Sequence, residues 1–171
     1  MIKIDISGMS DGEYEFELSV PVNTLETAFD EFFGDIRLSV IVKKLGLRYT
    51  LTADAKVNAR MECDRSLQIF EELISANFEI VYRANTKLFL EVGKHGENDK
   101  EIIIREDYKY IDISEEVLEH LALKLPMKRL APEYRDKELS EIFPEIAKEI
   151  IPDENLPLDD RWSNLKNIKF N

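Results

Sequence analysis

Hydrophobic and polar residues alternate along much of the first half of the chain. Ile2, Ile4 and Ile6 are the first instance, and Tyr14, Phe16, Leu18 and Val20 the second. A period of two sends successive side chains to opposite faces, so both stretches predict half-buried strands, separated by a turn at residues 8–12. The next piece is open between two readings. Leu25, Phe29, Phe32 and Phe33 have roughly helical spacing, and either a short helix or a loop whose aromatics plug a sheet accommodates them. The strongest pattern follows. Ile36, Leu38, Val40 and Val42 share one face. After residues 43–47 the chain returns with Tyr49, Leu51, Ala53, Ala55, Val57, Ala59 and Met61 on one face. Arg48, Thr50, Thr52, Asp54, Lys56, Asn58, Arg60 and Glu62 form the other. Such a run is long for a strand and predicts a long hairpin with one polar face.

Cys63 extends the apolar series directly, so parity points its side chain into the core. Residues 66–75 fit either a helix with Ser66 as N-cap or a short strand. Phe78, Ile80 and Tyr82 predict a strand, as do residues 87–92 and 101–105, the last two separated by a polar turn. The pattern then turns helical. Ser114 is a plausible cap for a helix with Val117, Leu118, Leu121 and Ala122 on one stripe, ending near Pro126. Leu139, Ile142, Phe143, Ile146, Ala147 and Ile150 form a second stripe, kinked at Pro144. A final short helix is expected near Asp159, with Trp162 and Leu165 inward. Strands first and helices later predict an α+β fold. The sheet is expected to be mainly antiparallel, with enough strands to curl toward a barrel, and to be followed by C-terminal helices. A single domain over 1–171 is expected, strand-rich to 110 and helical over 111–171.

The net charge of −12 disfavours broad, nonspecific binding to nucleic acid. It is unevenly spread. Residues 1–34 hold one Lys or Arg against eight Asp or Glu, whereas residues 35–70 hold seven against four. Only the hairpin region is basic. Arg48, Lys56 and Arg60 lie on its polar face among threonines and an asparagine that can also donate to phosphates, with Arg37 and the Lys43-Lys44 pair nearby. That face shows no aromatic for base stacking, and a solvated strand surface explains it equally well. No apolar run approaches the roughly 20 residues needed to cross a bilayer, and the start of the chain lacks the apolar core of a signal peptide. A single cysteine fits a reducing cytoplasm.

Nucleotide, zinc-protease and nucleophile-elbow motifs are all missing. His95 and His120 are far apart in sequence and read as surface histidines. Adjacent carboxylates are expected by chance among 35 Asp and Glu residues. No catalytic constellation can be assembled, and the chain is expected not to be an enzyme. Cys63-Asp64-Arg65-Ser66 has the length of a C-x-x-C metal knuckle, but a hydroxyl replaces the second thiol. Structural zinc needs four ligands.

Met61 to Leu67, with the strand before it, resembles the C-x-R-C-L knuckle of the YceD family of bacteria and plastids. Ile111 to Lys128 resembles the family's later acidic-hydrophobic segment with its L-x-L-P stretch, here ending at Pro126, and Asp159 and Arg161 resemble its terminal D-x-R motif. The likeness runs from about residue 14 to residue 168. It implies a non-catalytic, cytoplasmic factor in large-subunit ribosomal RNA accumulation, processing or ribosome assembly, whose partner is a ribosomal RNA precursor or a ribosomal protein, with no membrane. On this reading contact would run through Arg48, Lys56, Arg60, Arg65 and Arg161. The alternative is an acidic interaction module that binds a basic partner such as a ribosomal protein. The chain departs from the family at Ser66. It also departs after the L-x-L-P stretch, where residues 131–139 carry none of the cysteines many members have. Cys63 and Ser66 then read as a relic knuckle, with no metal and no cofactor.

Overall fold

The long alternating stretch forms a strand that is hydrogen-bonded on both sides along nearly its whole length. The computed structural model describes residues 1–94, 101–137 and 141. In chain order the elements are β1 (Lys3–Asp5), β2 (Gly12–Pro21), β3 (Phe32–Leu45), β4 (Arg48–Glu62), β5 (Ile69–Ala84), α1 (Thr86–Val92), β6 (Ile102–Ile104), β7 (Tyr110–Asp112) and α2 (Ser114–Ala122). Five strands make one sheet in the order β2-β3-β4-β5-β6, and β1 pairs with β7 in a second, two-stranded sheet. All pairings are antiparallel except β5 with β6. The fold is therefore mostly β with two α-helices among the described residues, its sheets antiparallel and mixed. The expected curl does not close: β2 and β6 are the two ends of an open sheet. The chain divides into two compact units, Met1–Ala131 and Pro132–Asn171. In the second, the described residues form one turn of 3-10 helix, Pro132–Tyr134.

Parity decides the core. Every second residue of β4 from Tyr49 to Met61 is buried, as are Ile36, Leu38, Val40 and Val42 on β3 and Ile74, Ala76, Phe78, Ile80 and Tyr82 on β5. Cross-strand neighbours such as Val40, Ala53 and Phe78 stack in rows across this face. Alanines at 53, 55, 59 and 76 leave room for the layer that covers it. That layer includes α2, which packs on β4 and β5 through Val117, Leu118 and Leu121. Ile2, Ile4, Ile111 and Ile113 of the small sheet join the same core. The β3–β4 turn is tight. Leu45 pairs with Arg48, Gly46 takes φ 58°, and the Gly46 N–H donates to Asp11 Oδ1 at 2.9 Å.

Several expectations are corrected or resolved. The segment from Leu25 to Phe33 is not a helix: after one turn of 3-10 helix at Val22–Thr24, Leu25 to Glu31 is loop, and Phe32 and Phe33 already belong to β3. Residues 69–75 are strand, continuous with Phe78–Tyr82 in the sixteen-residue β5. Residues 87–92 are not a strand but lie in α1. The Asn85 side chain accepts from the Leu88 N–H at 2.9 Å, and the Gly93 N–H closes the other end on Phe89 O at 2.9 Å. Two good caps outweigh a short alternation. Ser114 is the first residue of α2 rather than its cap. Its hydroxyl accepts from the Ile2 N–H at 2.6 Å and donates to Asp112 at 2.6 Å. The helices expected around Leu139–Ile150 and Asp159 lie outside the described residues.

If parity along β4 sets the core, Leu51→Ala should cost about 2–5 kcal/mol and Thr52→Val about 0.5 kcal/mol or less in denaturant unfolding. Similar costs at the two positions would contradict the face assignment.

Candidate functional site

The face of the sheet opposite the core is the polar one. Its rows are set by register: Ser19, Arg37, Lys56 and Ser75 form one, and Glu17, Ser39, Asp54 and Asn77 the next. Lys56 and Arg60 stand where parity put them, with Arg37 directly across from Lys56. Arg48 does not join them. Twelve residues of strand separate it from Arg60, about 40 Å at the rise of an extended chain. At its own end it faces Arg83, and Glu101 bridges the two arginines at 3.3 and 3.9 Å.

The cations on this face are held by carboxylates. Arg60 contacts Glu71 at 2.8 Å and Lys56 contacts Asp54 at 3.1 Å. The face also carries an aromatic that the alternation did not place there. Phe33, on β3, pairs with Asn58, and the Arg60 guanidinium lies 4.9 Å from its ring centroid. A bulge between Phe33 and Arg37, with Gly34 at φ 75°, shifts the register here. That Gly34 was the only local sign that a strand began two residues earlier. The acidic side chains of Glu13, Glu15 and Glu17 on β2 border the face, whose basic residues are Arg37, Lys56 and Arg60 around Phe33, Lys43 across from Glu13, and Arg48 with Arg83 at the far end.

Beyond β4 the chain makes a compact turn. Cys63 is fully buried, as its parity required. The Cys63 N–H donates to Gln68 O at 2.8 Å, and the Leu67 N–H donates to Cys63 O at 2.9 Å. Leu67 has φ 57°, a left-handed conformation that costs a leucine about 1–2 kcal/mol. Arg65 is half-buried in this turn. A second segment docks on it. Asp64 N–H donates to Arg129 O and Arg129 N–H to Asp64 Oδ2, both at 2.7 Å, while the Arg129 guanidinium meets Glu31 at 2.8 Å. The Ala131 N–H then points at Cys63 Sγ from 3.4 Å.

These donors set the thiol's chemistry. Burial pushes its pKa up. The Ala131 N–H, the Ser66 hydroxyl and N–H and the Arg65 N–H pull it down, and together they prevail, to about 7. Ser66 Oγ is buried and has no partner at good hydrogen-bond geometry among the described residues, so it acts on the sulfur as a dipole held nearby.

The turn thus combines a left-handed fifth residue with a ring of hydrogen-bond donors around one buried sulfur. A family model described as "Large ribosomal RNA subunit accumulation protein YceD" matches residues 51–169, well over half of the chain. The chain belongs to the YceD family. No curated protein and no solved structure matches it.

The YceD match begins within β4 and takes in the knuckle and the docked segment. The donor set does not fit zinc. One thiol and one hydroxyl face each other across the turn, and no group of three or more His, Cys, Asp or Glu suited to a metal occurs among the described residues. In this YceD chain the two segments are held together by hydrogen bonds at Asp64, Arg129 and Ala131. The expectation of surface histidines is corrected at His120, which is half-buried and stacked on Phe78 with ring centroids 4.2 Å apart. Its Nδ1 lies 2.8 Å from Glu116 O. His95 and Arg161 lie outside the described residues.

A partly buried polar cluster adjoins α2, with Tyr82 and Glu116 its buried members. Tyr82 is buried with its hydroxyl unpaired among the described residues, and burial together with the Glu116 carboxylate pushes its pKa well up. Lys94 reaches Glu116 at 3.1 Å and Glu115 at 3.2 Å. Burial opposes its charge, but these partners outweigh that and hold its pKa up.

A folded-state thiol pKa lowered from 9.0 to about 7 contributes stability that is present above pH 9 and is lost as pH falls toward 7. Thiolate ultraviolet absorbance of the native protein should therefore rise with a midpoint near pH 7, and Cys63→Ala should abolish it and flatten stability between these limits. A midpoint near the ordinary cysteine value would contradict the donor ring.

Proposed function

We propose that this protein is a non-catalytic, cytoplasmic factor in large-subunit ribosomal RNA accumulation and that it touches a ribosomal RNA precursor through the open face of β3 and β4. The observation that carries the reading is the family match over residues 51–169. The location rests on Arg37, Lys56 and Arg60, with Phe33 as a ring beside a guanidinium. Ser39, Thr52 and Ser75 add hydroxyl donors on the same face.

The carboxylates on this face do not argue against it. Exposed ion pairs are worth about 0–1 kcal/mol, so a phosphate oxygen displaces Asp54 or Glu71 at small cost while gaining counterion release. The carboxylates restrain binding to nonspecific polyanions, which suits an acidic protein that must ignore most RNA. Arg65 lies in the turn after β4, and Arg48 with Arg83 belongs to a separate end of the strand. The absence of nucleotide, metal or nucleophile motifs in the sequence supports a binding role. No helix among the described residues is long and apolar enough to cross a membrane.

Capture of bound RNA followed by sequencing should show enrichment of large-subunit precursor. The double variant Arg37→Glu/Lys56→Glu should weaken binding roughly tenfold or more and make it less sensitive to salt. Unchanged affinity and salt dependence would overturn the location, and lack of precursor enrichment by the native protein would overturn the RNA contact itself.

A further inference from the structure

We propose that the cavity between the Val22–Phe29 loop and α2 is a docking site for a segment of a partner protein that presents an apolar side chain next to lysine or arginine. The cavity has a volume of about 610 Å³. Leu25, Phe29 and Leu118 give it an apolar wall, and Glu26, Glu115 and Glu119 stand around it. Phe29 is 44% exposed, an unusual position for an aromatic ring on an acidic protein, although its edge is fixed against Phe32 at 5.8 Å.

The charge around this cavity selects the occupant. Asp112 adds a fourth carboxylate, and against these four stand the Lys94 side chain and the N-terminal ammonium of Met1, so the lining is acidic on balance. The Lys94 ammonium is already held between Glu115 and Glu116 at 3.2 and 3.1 Å. Neither Glu26 nor Glu119 forms an ion pair with a described residue. A concave, low-dielectric wall concentrates the field of such carboxylates and attracts cations. The N-terminus of α2 does not reverse this sign, because Glu115 and Glu116 occupy its first turn and the Ser114 N–H donates to Asp112 at 3.0 Å. RNA phosphates are repelled here.

The site is preformed. Thr24 Oγ1 donates to Pro21 O at 2.7 Å, Leu25 N–H to Val22 O at 3.0 Å and Phe32 N–H to Phe29 O at 3.0 Å, so the loop is already ordered and binding need not pay for its closure. Since α2 packs on the core side of the sheet, this surface is distinct from the open face assigned to RNA. Either contact can fail without the other.

The test uses the full chain and two capped, fluorescein-labelled peptides of equal charge, Lys-Leu-Lys-Leu-Lys and Lys-Gly-Lys-Gly-Lys, followed by anisotropy and by amide shifts in NMR. The leucine peptide should bind more tightly and shift the amides of Leu25–Phe29 and Leu118–Glu119. Glu26→Lys/Glu119→Lys should weaken it roughly tenfold, and Phe29→Ala should bring it down to the level of the glycine peptide. Glu26, Glu119 and Phe29 are exposed, and an unchanged circular dichroism spectrum would confirm that the variants fold. Equal binding of the two peptides, no binding of either, shifts that map elsewhere, or displacement of the peptide from these residues by an oligouridylate would each overturn the proposal.

Discussion

The molecule is organised by one constraint: β4 is paired with β5 from Arg48 to Glu62 and, on its other side, with β3 from Arg48 to Ala59 with one interruption at the bulge. A strand so paired cannot slip by one residue without turning every side chain to the wrong face. Its seven apolar residues from Tyr49 to Met61 therefore commit the whole sheet to a core side and a polar side. Everything of functional interest follows from that division. The open face holds Arg37, Lys56, Arg60 and Phe33. The covered face receives α2, and α2 supplies one wall of the acidic cavity. The same parity delivers Cys63 into the interior at the strand's end.

At that end backbone donors converge on one buried thiol. They come from Arg65, Ser66 and Ala131, and they favour the thiolate. Two distant segments are joined there by the reciprocal bonds between Asp64 and Arg129 and by the Arg129–Glu31 ion pair. The left-handed Leu67 fits this account: a turn shape that costs a leucine persists because its neighbours over-determine it.

The hairpin, the burial of Cys63 and the helix at Ser114–Ala122 were legible because each rests on local periodicity. Other features rest on partners distant in sequence. β1 pairs with β7, so Ile4 meets Ile111, and no local pattern announces that pairing. β6 runs parallel to β5, a direction that alternation cannot encode. α1 was misread because Asn85 and Gly93 act as caps on a segment whose apolar residues also alternate. For the site, the basic residues of β4 could be named, but not the carboxylates that hold them. Glu71 is across the sheet from Arg60 and Glu101 is on a later segment. Arg48 looked equivalent to Lys56 and Arg60 on paper. Only the length of the strand separates it from them. The face of Phe33 is not legible from alternation, because the bulge at Gly34 interrupts the pattern that would assign it.

The division of labour between the two faces is the claim on which the rest depends, and ultraviolet crosslinking of the protein to RNA in cells, with the crosslinked residues mapped by mass spectrometry, tests it most directly. The account predicts ribosomal RNA fragments attached to residues of the open face of β3 and β4, with Phe33 the foremost, and none around Phe29 or on α2. Crosslinks confined to the Val22–Phe29 loop and α2, or spread without regard to face, would contradict it.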